Sequence, residues 1–304
     1  MSRRMTKWVT EKRQGLIVGF ALMVAIVLVD VGLVSLVALR RTVSLGTFTI
    51  GLAVLLSLGL LGMIAYWLYG LSRSLYLLDR NALIIQWGPL EQTIPAKQIE
   101  RVLTGDEVEG HIRFYGGFWP GHCVGYGEVP GAGPTLFYGT DLPRHLVYVV
   151  TPGLTYGLSP ADREGFLDAL RQRVQMGPTQ VVEESSRRPG ILDWAIWQDR
   201  LGLILLGAGS LAIVLLIGLL CFRLPIMPRL VPLHFDLTGN PDRLGLRWQI
   251  FIIPLIGLLA LALNGVLGWL AYRRERMISY LLWGGAVLVQ VLVWTAALGI
   301  LARL

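Results

Sequence analysis

The chain has 304 residues, of which 54% are hydrophobic and only 15% charged, whereas soluble domains carry about one quarter charged residues. That deficit excludes an ordinary soluble fold and points to long apolar segments. The formal net charge is +7, yet residues 71–198 hold 11 basic and 14 acidic residues, so there is no basic folded domain to serve as a nucleic-acid surface.

The tail 1–15 carries five basic residues against one acidic. Five apolar runs follow it, roughly 16–39, 45–70, 201–222, 249–271 and 278–301. Each exceeds the ~20 residues with which an α-helix crosses a bilayer core. The first run continues to Arg40-Arg41 with no small-residue cleavage site after it, so it reads as an uncleaved anchor and not as a signal peptide. Gly15 and Gly19 have the GxxxG spacing of helix pairs but lie at that helix's edge. Asp30 sits past the helix middle, where a carboxylate is costly and marks a candidate ion or proton site. Asn264 and Gln290 fall in the fourth and fifth runs, where amides either line a polar seam with Asp30 or join helices by hydrogen bonds.

Between residues 71 and 176 the pattern changes to short β-prone runs, "RSLYLLD", "ALIIQWG", "LEQTIP", "TLFYGT", "HLVYVVT" and "LTYGLS", punctuated by Gly, Pro and Asp. This spacing predicts a compact antiparallel sandwich or barrel of about seven strands. "SPADREGFLDALRQRVQ" then predicts an amphipathic helix, with Ser159 as N-cap, Pro160 at the first helical position and Asp162 at the third. His111, His122, Cys123 and His145 lack paired metal-ligand spacing, and Cys123 and Cys221 form no disulfide or zinc framework.

The order of strands and closing helix, with Gly116-Gly117, Pro120-Gly121, Gly125-Tyr126-Gly127, Phe137-Tyr138 and Ser159-Pro160-Ala161-Asp162, resembles the bacterial pleckstrin-homology (PH) domain of membrane-embedded proteins. The resemblance implies a PH-like β-barrel or sandwich closed by a C-terminal helix. PH-like domains often bind inositol phosphates through basic residues on their first strands. Here those strands offer Arg73 and Arg80 alone, thin for a multiply charged phosphate.

After a linker and interfacial segment, 177–200, in which Trp194 and Trp197 suit either the headgroup zone or the start of the next helix, the third run leads to an unusually polar loop, 223–248. Its core is "VPLHFDLTGNPDRLG". Gly239, Asn240 and Pro241 have turn chemistry, and Pro225, Pro228 and Pro232 keep the approach extended. Asp242 is placed to cap a helical entry into the fourth run. His234, Asp236, Asn240, Asp242 and Arg247 are candidate binding residues, the first four also candidate ligands of an ion, but no HExxH, GxSxG or EF-hand spacing accompanies them. Pro232, His234, Phe235, Asp236, Gly239, Pro241, Asp242, Gly245, Arg247 and Pro254 resemble the domain of unknown function found in SdpI-type immunity proteins. That family usually has Lys where this chain has Arg247, so a role requiring a Lys amine does not carry over.

With the N-terminus inside, thirteen basic residues flank the spans on the inner side and seven on the outer, the bias of the positive-inside rule. The expected protein is mainly α-helical, with five transmembrane helices and a PH-like soluble domain, in a bacterial inner membrane. Its domains are a basic tail 1–15, transmembrane helices within 16–70, a cytoplasmic PH-like domain 71–176, the linker, and a module 201–304 with an extracytoplasmic loop. The bilayer and a protein or peptide at the outer face are its expected partners. No catalytic constellation or cofactor motif is present, so a binding, sensing or immunity-like role is the first reading. An ion-coupled transporter using Asp30, or a metal-dependent enzyme centred on His234, Asp236 and Asp242, are the alternatives.

Overall fold

The computed structural model of the protein describes residues 5–40, 42–177, 180, 182, 184–187, 195–235 and 241–304. The chain divides into two compact units, residues 1–29 with 57–190 and residues 30–56 with 191–304. Among the described residues five helical segments are long and apolar enough to cross a membrane: Arg13–Arg40, Leu45–Ser72, Arg200–Ile226, Arg247–Ala271 and Arg276–Leu301. The chain is a multi-pass membrane-type protein.

The first unit holds β1 (Thr6–Val9), the start of α1 (Arg13–Arg40) and the end of α2 (Leu45–Ser72). Strands β2 (Leu75–Leu78), β3 (Ala82–Trp87), β4 (Leu90–Pro95), β5 (Arg101–Thr104), β6 (Arg113–Trp119), β7 (His122–Val129), β8 (Gly133–Gly139), β9 (Val147–Val150) and β10 (Thr155–Leu158) follow. Helix α3 (Arg163–Met176) and a short β11 (Ser185–Arg187) complete it. Two tight hairpins use glycine as expected from turn chemistry. Gly88 (φ +63°) precedes Pro89 between β3 and β4, and Gly121 (φ +86°) follows Pro120 between β6 and β7.

The strands form a five-stranded sheet, β1-β2-β3-β4-β11, and a six-stranded sheet, β5-β9-β10-β8-β7-β6. Both sheets are open, so of the sandwich or barrel expected, a closed barrel is not found. Nor is the fold wholly antiparallel, since β8 and β10 pair in parallel. The core is completed by a helix and not by pairing around a circumference. Phe166, Leu167 and Leu170 of α3 join Tyr76, Leu83 and Ile85 of one sheet and Val149, Tyr156 and Leu158 of the other in one buried cluster. Each such apolar side chain contributes roughly 1.5–3 kcal/mol when fully buried.

The helix cap differs from expectation. Asp162, not Ser159, is the N-cap of α3, accepting a hydrogen bond from the Gly165 amide at 3.0 Å. Ser159 is still held by strand geometry: its amide donates to the Tyr76 hydroxyl, its Oγ accepts from the Thr140 amide, and Pro160 bridges Thr10. The sheet therefore delays the helix by three residues.

The second unit contains α4 (Arg200–Arg223), β12 (Leu230–Phe235), β13 (Pro241–Leu246), a 3-10 turn at Arg247–Phe251, α5 (Ile252–Ala271) and α6 (Arg276–Leu301). Pro254 is accommodated near the start of α5, where its missing amide has no helical partner to lose. At one end of the bundle Trp283 is fully buried with Tyr272 and Ile196. Its indole lies so close to Gly268 and Gly202 that a Cβ at either would fall 2.3 or 2.7 Å from it. At the other end Leu216, Leu220, Val293 and Ala297 enclose Val231 of the hairpin and Ile250 of the turn. Small residues thus let the helices approach, as is usual where lipid supplies no hydrophobic drive.

Candidate functional site

The polar loop of the second unit is a β-hairpin. β12 and β13 pair antiparallel from Leu230↔Leu246 to Phe235↔Pro241, with irregular register on both sides of His234. Val231 and Gly245 point into the unit and are buried. A Cβ at Gly245 would lie 2.2 Å from the Gln249 side chain and 2.3 Å from Leu233, so glycine is required by packing there. Pro232, opposite Leu244, and Pro241, opposite Phe235, lie on the two strands.

On the exposed side the hairpin joins two of the expected residues. His234 Nδ1 lies 2.7 and 2.9 Å from the two carboxylate oxygens of Asp242. A carboxylate accepts, so Nδ1–H donates and Nε2 carries the lone pair in the neutral ring. The side chains are 68% and 48% exposed, and an exposed pair of this kind contributes at most about 1 kcal/mol to stability. The pair orients an imidazole at a surface. Asp242 does not cap the next helix, because strand pairing holds 241–246 extended. The turn into α5 is instead closed by Gln249, whose Oε1 accepts from the Leu246 amide at 3.1 Å. Gly239, Asp236 and Asn240 lie outside the described residues.

Arg247, expected as a binding residue, points inward. Its guanidinium reaches the Leu224 and Met227 carbonyls at 3.4 Å, and its amide donates to Arg229 O at 3.0 Å. It clasps the end of α4 to the hairpin, a task for which Arg's several donors suit better than one ammonium. Arg303 lies 4.1 Å from the Phe235 ring centroid and covers the hairpin's other face by a cation–π contact.

Two stretches of the chain match known family models. Residues 74–174 match the bacterial PH domain. Residues 211–258 match a domain of unknown function, DUF1648. The second match contains the whole hairpin, with His234, Asp242 and Arg247. No curated protein and no solved structure matches the chain.

Within the PH domain the basic residues of the first strands are committed. Arg80 donates to the Met176 and Gly177 carbonyls at 3.4 and 3.2 Å, capping α3, and Arg73 stacks 5.3 Å from the Tyr69 ring. The histidines do not converge. His145 pairs with Asp141 at 3.2 Å on the surface, His111 is exposed, and His122 and Cys123 are buried on opposite faces of β7. Among the described residues no three His, Cys, Asp or Glu side chains converge on a metal position.

His122 has an environment that no local sequence signal announced. It stacks on Trp119 at 4.0 Å between centroids, with Trp67 and Trp87 at 6.0 and 6.2 Å. Neither ring nitrogen has a hydrogen-bond partner. Burial lowers its pKa from 6.5 to about 4, so the ring is neutral at physiological pH.

Of the intramembrane polar groups, Gln290 is buried and its amide donates across to Gly257 O of α5 at 2.8 Å. Asn264 donates to Ala260 O of its own helix at 2.8 Å. The two amides therefore serve different carbonyls; Gln290 joins helices and Asn264 does not. Asp30 is half-buried on α1. Asp199, absent from the sequence expectations, gathers three hydrogen-bond donors. It caps α4 by accepting from the Gly202 amide at 3.1 Å, and it accepts from the Tyr272 and Tyr280 hydroxyls at 2.8 and 2.6 Å. Partial burial raises its pKa, and the bonds from Tyr280, Gly202 and Tyr272 more than offset that, leaving it below the ordinary carboxylate value. An Asp just before an apolar run is a readable cap; two tyrosines 73 and 81 residues away are not. Trp197 beside it is exposed, and Trp194 lies outside the described residues.

Proposed function

We propose that this is a non-enzymatic membrane protein that recognises a protein or peptide through its hairpin, with the PH-like domain on the other side of the bilayer. The hairpin faces outward from a bacterial inner membrane, and the N-terminus and the PH-like domain are cytoplasmic. The orientation is supported by the excess of basic residues flanking the spans on that side. The recognition reading rests on one observation: the His234–Asp242 pair is oriented and exposed, yet stability has little need of it. Oriented polar groups on a surface that the fold does not require are what a binding face supplies.

A photoreactive residue in place of Leu244, itself 60% exposed on the same hairpin, tests this in intact cells. One discrete crosslinked adduct is expected, lost with His234→Ala and with Asp242→Ala while both variants accumulate in the membrane at wild-type level. Failure of both to accumulate makes the pair architectural, and an adduct indifferent to both variants removes it from recognition.

A further inference from the structure

A cleft of about 1160 Å³ opens in the first unit where the N-terminal segment turns into α1. That is somewhat above the usual size of small-molecule sites, ~300–1,000 Å³. Lys12, Arg13 and Gln14 line it on one side, and Trp119, His145 and Arg163 on the other. A second, apolar groove of about 690 Å³ runs between α1 and α2, lined by Leu16, Ile17, Phe20, Ala21 and Leu68. Ile17 borders both. The cleft that carries Lys12 and Arg13 and the groove between the two helices thus share a wall at Ile17.

The charges at the cleft are unequally committed. Lys12, Arg13 and Arg163 face two carboxylates, Glu11 and Asp141. His145 engages Asp141, and Arg163 is held by Asp106 at 3.1 Å. Lys12 donates to Ser72 O at 2.6 Å, which fixes the ammonium over the C-terminus of α2 and leaves two donors without a partner among the described residues. Arg13 makes no ion pair among the described residues and is exposed. Phe118, 49% exposed at the rim, and Tyr69 at the groove are the aromatic residues expected at headgroup depth.

We infer that the cleft and groove together hold one anionic glycerophospholipid, its phosphate on Lys12 and Arg13 and an acyl chain between α1 and α2. The committed occupant is a bilayer lipid because one side of the site is cationic and the other apolar. The residues of this site belong to the first unit and those of the hairpin to the second, so the two assignments stand or fall independently. It also differs from a headgroup site on the first PH strands, whose arginines are committed.

The full chain, purified in detergent and stripped of lipid, is titrated with phosphatidylglycerol, phosphatidylcholine of the same chains, or glycerol 1-phosphate, with bound lipid read by native mass spectrometry. Two cations near a membrane surface predict about 30-fold preference for phosphatidylglycerol. Arg13→Gln, at an exposed residue with no ion pair among the described residues, removes part of that preference, and the double variant K12Q/R13Q removes it, bringing phosphatidylglycerol to the affinity of phosphatidylcholine. Ala21→Trp, filling the groove, abolishes retention of both lipids. Equal wild-type affinity for the two lipids, an undiminished preference in Arg13→Gln and K12Q/R13Q, unchanged retention in Ala21→Trp, or full displacement by glycerol 1-phosphate would each overturn the assignment.

Discussion

His122 shows how a single side chain carries a measurable consequence. Its folded pKa is about 4 against 6.5 for the free group. The unfolded chain therefore takes up a proton as pH falls through 6.5, while the folded one resists until about 4. Stability is fully present above pH 6.5, falls between 6.5 and 4, and levels off below, by about 3 kcal/mol for a shift of this size. Thermal unfolding in detergent from pH 7.5 to 4.5 is expected to show a falling midpoint, and His122→Leu, which cannot titrate, a shallower fall. An identical acid limb in both proteins would assign the loss to other groups. None of this was legible in the sequence, where His122 is one of four scattered histidines. Its three tryptophans come from α2, β3 and β6, and no local pattern joins them. His234 and Asp242 were legible as candidates, but their pairing was not, since it depends on strand register. The Ser159–Asp162 segment contains two good cap residues, and only the sheet decided between them.

At the scale of elements, glycines set how closely the pieces approach. Gly15 and Gly19 are the two buried residues of α1. A Cβ on Gly15 would sit 2.0 Å from the Gly121 carbonyl oxygen, and one on Gly19 would sit 2.5 Å from the Leu68 side chain. The GxxxG spacing thus joins α1 to the β6–β7 turn and to α2. Gly32, on the same helix, has nothing within 4 Å. Gly15→Ala is expected to cost at least the ~1–3 kcal/mol of an overpacked contact and to lower the unfolding midpoint, whereas Gly32→Ala should be neutral or stabilising. Equal midpoints for the two variants would mean the contact carries no strain. The spans themselves were legible because apolar length alone specifies them. The strands were legible in kind but not in arrangement: short runs fix neither a parallel β8–β10 pair nor open sheets.

At the scale of the whole molecule, two recognisable modules occupy separate parts of the chain, with two apolar helices before the first and three that overlap or follow the second. The central claim is that the hairpin and the PH-like domain lie on opposite sides of a membrane. A single introduced cysteine reads this out. The native thiols make a quiet background, since Cys123 and Cys221 are buried and burial pushes the Cys123 thiol up to about 12, far from the reactive thiolate. Leu244→Cys on the hairpin and Leu142→Cys in the PH-like domain, 60% and 49% exposed, are labelled with a membrane-impermeant maleimide. Intact cells should label position 244 and leave 142 unlabelled until they are permeabilised. Labelling of both positions in intact cells, or of 142 alone, would contradict the account.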